Sequence, residues 1–246
     1  MISRVASIWR HPIKAHGRER LERVRLSPGT TMPGDRIWAV AHEASKAASG
    51  AWSPCVNFTR GAKAPQLMAV TAETLEDGQI TVRHPDLPDL TFDPDTDGAA
   101  FVDWTRPLIP ADRAAPAHLI RAGTDGMTDS DFPTISIVGL GSHAAVERQV
   151  GHALSTERWR ANLIFDELSE WAEFDWIGRT LRIGEVELKV RERITRCLAT
   201  AANPATGIRD ADTLGALEAG WGHRDFGVYA VVTRGGEIAE GDEVRL

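Results

Sequence analysis

Cysteine is scarce in this chain, with only Cys55 and Cys197 among 246 residues. Two thiols build no disulfide framework, and the default expectation for such a chain is a reduced, cytoplasmic protein. They also fall short of the four thiolates that a cysteine-ligated iron–sulfur cluster takes. Any redox chemistry would therefore draw its electrons from another protein or a small reductant. No apolar run approaches the ~20 residues of a membrane span, and the amino end turns charged too early for a signal-peptide core. Basic residues are outnumbered, 28 Lys and Arg against 35 Asp and Glu, for a net charge of -7. That balance argues against a general nucleic-acid binder but leaves room for a local cationic pocket. The eight histidines show no paired or clustered spacing, so a histidine-based zinc site is not expected.

Among what is present, the segment Val186–Asp210 stands out. Val186, Leu188, Val190 and Ile194 share one parity, as a half-buried strand requires, with Glu192 the exception. The other parity carries Lys189, Arg191, Arg193, Thr195 and Cys197. In a regular strand the thiol would stand in line with three cations, while Arg196 would point the other way unless the chain bends. Nearby cations favour thiolate, the form that binds metals. The competing reading is a packing cysteine at a strand end beside solvated arginines.

The same segment resembles the cysteine motif of the MOSC family, Arg-Cys followed by Thr-Thr-Val-Asp-Pro-x-Thr-Gly. Here the order is Arg196-Cys197, then Thr200-Ala201-Ala202-Asn203-Pro204-Ala205-Thr206-Gly207. Ala201 replaces a threonine and Asn203 an aspartate. His11-Pro12-Ile13-Lys14-Ala15 is similar to the family's Tyr-Pro-Val-Lys-Ser, with Ala15 for the serine. Asp35-Arg36-Ile37-Trp38 resembles its Asp-Arg-x-Trp element, and Trp159-Arg160-Ala161-Asn162-Leu163-Ile164 its Phe-Arg-Pro-Asn-Ile-Val strand. The loop Gly126–Pro133 resembles a Ser-Asp loop facing the active site, and Phe226–Val244 the family's closing pattern.

The resemblance implies a mainly β protein: a smaller amino-terminal β domain over residues 1–106 and a MOSC β-barrel domain over 107–246, with few short helices. It implies the molybdenum cofactor (molybdopterin), with Cys197 as metal ligand and catalytic residue, and Lys14, Arg36, Arg160, Asn162, Thr195 and Arg196 as the cofactor-binding set. It further implies an oxidoreductase that reduces N-hydroxylated small molecules, using a separate electron-donor protein and neither nucleic acid nor membrane. The alternative is a non-catalytic carrier of the cofactor, or of sulfur on Cys197. The family also carries an association with pyridoxal phosphate.

A rival motif sits mid-chain. Thr134–Val138 is a β-rich run, Gly139-Leu140-Gly141-Ser142-His143-Ala144 fits G-x-G-x-x-A, Ser142 is placed to cap the following helix, and Leu163–Phe165 ends in Asp166. Strand, glycines, helix, strand and acid in that order suggest a dinucleotide site. The absence of further strand–helix alternation argues against it. Elsewhere the pattern predicts strands at Ile2–Trp9 and Arg18–Leu26, a hairpin of Gln66–Ala72 with Gln79–Arg83, and short helices within Thr96–Thr105 and Asp212–Glu218.

Overall fold

The computed structural model describes residues 3–123 and 126–246. Fifteen strands and three short α-helices are described, in the order β1 (Ser3–Arg10), β2 (Glu19–Leu21), β3 (Arg23–Leu26), β4 (Trp38–His42), β5 (Thr71–Thr74), β6 (Ile80–His84), β7 (Leu87–Phe92), α1 (Gly98–Thr105), β8 (Pro116–Arg121), β9 (Ile135–Gly139), α2 (Leu140–Val150), β10 (Leu163–Phe165), β11 (Thr180–Ile183), β12 (Val186–Thr195), α3 (Thr213–Trp221), β13 (Asp225–Arg234), β14 (Gly236–Ala239) and β15 (Glu243–Arg245). The expected mainly β architecture is what forms.

Seven strands close a barrel in the order β10-β9-β13-β12-β11-β15-β1, with β1 pairing back onto β10. Closure removes the free edges that a sheet would otherwise expose. Alternation along β12 works as the sequence pattern predicts: Val186, Leu188, Val190 and Ile194 are all buried. The first three join Val5, Ile137, Leu163 and Val228 in the barrel core. The chain does not keep its two halves apart. Amino-terminal β1 is a barrel stave, β3 pairs with β14, and β8 pairs with β4. A second core, built on Val40, Leu67, Val82, Phe92 and Phe101, sits under β4, the β5–β7 meander and α1.

Local differences have plain causes. Pro65 starts a 3-10 turn over Pro65–Ala69, so only Thr71–Thr74 is left to pair in the hairpin around Gly78. The strand expected from Ile2 begins at Ser3, with Ile2 outside the described residues. Arg18–Leu26 splits into β2 and β3, and each takes a different partner. Asp212 caps α3 by accepting a hydrogen bond from Gly215 N at 2.9 Å.

The strand–helix–strand series of the rival motif does form. β9 and β10 are parallel, with α2 crossing between them. Its glycines, however, make room for protein. A Cβ on Gly141 would lie 2.1 Å from Leu168 O. Ser142 does not cap α2; its hydroxyl donates to the buried carboxylate of Glu173 at 2.8 Å. That anion lies 3.2 Å from where a Cβ of Gly139 would be. A carboxylate from the chain itself therefore fills the helix-start position where a pyrophosphate would go. Asp166, the expected ribose acid, accepts instead from Arg4 N at 3.0 Å.

Candidate anion cavity beside Cys197

A cavity of about 290 Å³ opens where the barrel meets the amino-terminal loops. That is close to the lower end of the roughly 300–1,000 Å³ range of small-molecule sites. Cys197, Thr195, Arg196, Arg160, Arg36 and Lys14 all reach its wall. Arg60 and Arg158 bring its cations to six, and among the described residues Asp129 is the only carboxylate lining it. In a chain of net charge -7, this is a sharply localised reversal of sign.

Each cation is held differently. Lys14 is 4% exposed, and its Nζ donates to Met127 O at 2.8 Å, Thr128 O at 3.2 Å and Asp129 Oδ1 at 2.5 Å. An ammonium has three protons, so Lys14 is fully committed to ordering the loop after Gly126. Arg36 takes a left-handed backbone, φ 54°, fixed by Arg36 N donating to His11 O at 2.7 Å. Its guanidinium pairs with Asp35 through Nη1 and donates to Arg160 O at 3.0 Å through Nη2. Burial works against the Arg36 charge, but the Asp35 and Asp129 carboxylates hold its pKa above the usual arginine value.

Arg196 turns inward because β12 does not stay regular. The pairing with β13 shifts register between Val190 and Glu192 and again between Arg193 and Thr195, and the strand ends there. Each such shift re-aims the side chains that follow it. Arg196 and Cys197 therefore share the cavity, while Arg191 and Arg193 lie outside over the rings of Phe132 and Phe174. Arg196 donates from Nε to Phe226 O and from Nη1 to Trp159 O, each at 2.7 Å, and leaves Nη2 buried without a partner. Room for it depends on Gly227, where a Cβ would sit 3.2 Å from Nη2 on a backbone of φ +78°. Burial pulls the Arg196 pKa down to about 10.

Arg160 is the least satisfied group. It caps a 3-10 turn over Thr156–Trp159 with φ 48°, and both terminal nitrogens, Nη1 and Nη2, are buried with no hydrogen-bond partner. Burial, then the nearby Arg36 and Arg18 charges, lower its pKa to about 9. A guanidinium is built to donate in pairs to phosphate or carboxylate. Four unpaired nitrogens, two on Arg160 and one each on Arg196 and Arg158, therefore define a seat for an anion.

Asn162 does not join them. It is 1% exposed and does not line the cavity. Its Oδ1 accepts from Ser136 N at 3.1 Å and Ser136 Oγ at 2.8 Å, and its Nδ2 donates to Trp9 O at 3.2 Å. The shared parity expected of Arg160 and Asn162 fails because the strand begins only at Leu163. Thr195 lines the wall with its hydroxyl donating to Asp225 Oδ1 at 2.6 Å. Cys197 is a free, exposed thiol.

Some residues arrive without a sequence signal. Cys55, an exposed thiol, lines the same cavity and accepts a long 3.4 Å hydrogen bond from Arg60 Nη1. Arg158, 1% exposed, donates to Thr200 O at 2.9 Å and Asp210 Oδ1 at 3.2 Å. Tyr229 completes the wall, its pKa pushed up to about 12 by burial and then by the Asp129 carboxylate. Of Ala15, Ala201 and Asn203, only Ala15 lines the cavity. Asn203 is occupied in a turn of its own, accepting from Ala205 N and donating to Asp210 Oδ2, each at 2.8 Å.

Among the described residues no three His, Cys, Asp or Glu side chains group as a metal site. A metal here would have Cys197 as protein ligand and take its remaining ligands from a cofactor. The donor set fits an anionic, phosphorylated cofactor on the evidence of the four unpaired guanidinium nitrogens. No described helix is long and apolar enough to cross a membrane.

Comparison with known proteins matches residues 2–116 to the MOSC N-terminal beta barrel domain and residues 127–245 to the MOSC domain. No curated protein matches the chain. Among solved structures, the YUAD protein from Bacillus subtilis is 12% identical over 99% of this chain and 94% of its own, with a TM-score of 0.49. YiiM from Geobacillus stearothermophilus is 16% identical over 45% of this chain and 52% of its own, with a TM-score of 0.33.

Proposed function

Since this chain belongs to the MOSC domain family, we propose that it binds the molybdenum cofactor in the Cys197 cavity and reduces N-hydroxylated small molecules with electrons from a separate donor protein. The observation that carries this reading is the cluster of buried, unpaired guanidinium nitrogens on Arg160 and Arg196 beside an exposed thiol. When bound, the cofactor would supply a redox-active metal able to accept an oxygen atom.

The chain's own residues have separable tasks. Cys197 as thiolate would ligate the metal. Arg160 and Arg196 would hold the phosphate. Arg36 would act at one remove, holding the Arg160 carbonyl and so the direction of that backbone turn. Lys14 would act as an anchor for the loop carrying Asp129. Converting N–OH to N–H releases water and consumes two electrons and two protons. Tyr229 keeps its phenolic proton at neutral pH, which suits it to donate a hydrogen bond to the substrate oxygen.

The test is to express the native protein and Cys197→Ala in cells that make the cofactor, then to measure bound molybdenum and benzamidoxime reduction with a competent electron donor. The expected result is stoichiometric metal and turnover in the native protein, with both lost in the variant. Full metal and activity in Cys197→Ala would sink the proposal. Bound cofactor without turnover would leave the carrier reading in its place.

A further inference from the structure

A second, larger concavity of about 520 Å³ adjoins the first on the amino-terminal side, and Arg60 lines both. Its polar rim has one sign. Lys46, Arg60, Lys63 and Arg113 line it, and among the described residues no Asp or Glu does. Lys46 and Lys63 are exposed, and Arg113 has only the adjacent Asp112, at 3.4 Å, as an ion-pair partner. Acids outnumber bases by 35 to 28 in the whole chain, so an acid-free concavity with four cations runs against the average surface.

The floor between these charges is apolar. Phe58 is 2% exposed at its base, Ile109 closes one side, and Val56 stands 60% exposed at the lip. On the wall, His42 holds Val56 O through Nε2 at 2.7 Å and leaves Nδ1 buried without a partner. A volume well inside the range of small-molecule sites, an apolar floor and a cationic rim together specify an occupant with an apolar body and an anionic end.

We propose that this groove is a binding site for a small organic anion, a carboxylate or sulfonate carried on an aromatic or aliphatic body. The inference uses no property of the Cys197 cavity beyond its position, so it stands or falls separately from the proposed activity. The probe is 8-anilinonaphthalene-1-sulfonate, followed by its fluorescence on titration into the purified full chain, with the uncharged N-phenyl-1-naphthylamine as comparison.

We expect saturable binding of one sulfonate per chain and at least tenfold weaker binding of the neutral analogue. The double variant Lys46→Glu/Lys63→Glu, whose side chains are exposed, should bind the sulfonate at least tenfold more weakly than the native chain. Val56→Glu, which places a carboxylate on the lip, should do the same. Unchanged thermal melting and circular dichroism would show that both variants fold. Native affinity retained in both variants, equal binding of the neutral analogue, or no saturable binding at all would each overturn the assignment.

Discussion

Replacing Arg160 with methionine should stabilise the cofactor-free protein. The side chain carries a charge whose two terminal nitrogens find no partner. Burial first, and then the Arg36 and Arg18 charges, pull its pKa from the ordinary arginine value down to about 9. At about 1.4 kcal/mol per pH unit, that corresponds to roughly 5 kcal/mol of unfavourable charge at neutral pH. Relaxation of the protein around the buried charge reduces the figure to about 1–3 kcal/mol, in line with the gain often seen when buried ionic groups give way to apolar ones. Methionine keeps most of the aliphatic stem and adds no charge. The sign is fixed by the direction of the shift. The cost is fully present below the folded value of about 9 and is relieved as pH climbs from there towards the ordinary arginine value. The gain should therefore be constant from pH 6 to 8 and shrink above pH 9. Urea denaturation at pH 7 measures it, and the melting temperature should rise by roughly 2–4 °C for each kcal/mol. Inorganic phosphate should raise the melting temperature of the native chain and lose most of that effect in the variant, since a ligand stabilises only where it binds the folded state. If Arg160→Met is less stable than the native protein and keeps the full phosphate effect, the guanidinium is neither unpaired nor part of an anion seat.

Substitutions at two further positions probe what holds the cavity open. Burial alone would raise the pKa of Asp35, but the Arg36 guanidinium and the His11 hydrogen bonds override it and hold the carboxylate far below its usual range. Asp35→Asn should cost about 3–5 kcal/mol, because it strands the buried Arg36 charge. The stability contributed by the native carboxylate is present above pH 3.8 and lost as pH falls below it, so acid titration of the native and variant chains should converge at low pH. Trp159 is 1% exposed, stacks on Phe226 at 3.8 Å and donates from Nε1 to His143 Nδ1 at 2.9 Å. Trp159→Ala should cost about 3–5 kcal/mol in urea. Trp159→Phe, which keeps a ring beneath Arg196, should cost less than half as much, and equal losses would show that the ring plays no part.

The barrel staves could be read from local pattern, and the cavity only in part. Val186, Leu188, Val190 and Ile194 announce a strand with one buried face, because alternation follows from the period of the strand itself. The series from Thr134 to Phe165 likewise announces a parallel pair bridged by a helix, and that unit forms. The ligand that unit suggested was out of reach of the pattern, since the carboxylate lying against Gly139 belongs to Glu173, thirty-odd positions away. Cys197, Arg196, Arg160, Arg36, Thr195 and Lys14 were recognisable through motif order and spacing, and all reach one cavity. Asn162 falls in with them through the motif resemblance, which expects a strand from Trp159, whereas the strand begins only at Leu163.

Which charges meet partners depends on how segments distant in sequence pack together. Lys14 is saturated by a loop more than a hundred residues downstream, whereas the two terminal nitrogens of Arg160 find no partner among the described residues, yet both are basic residues in short motifs. Cys55 and Arg60 reach the cavity from a loop with no pattern of its own. Hydrophobic periodicity is a property of neighbours along the chain, so composition and spacing suffice to place the strands. Unsatisfied hydrogen-bonding capacity is a property of neighbours in space, and only the closed barrel with the amino-terminal loops laid over its mouth decides it.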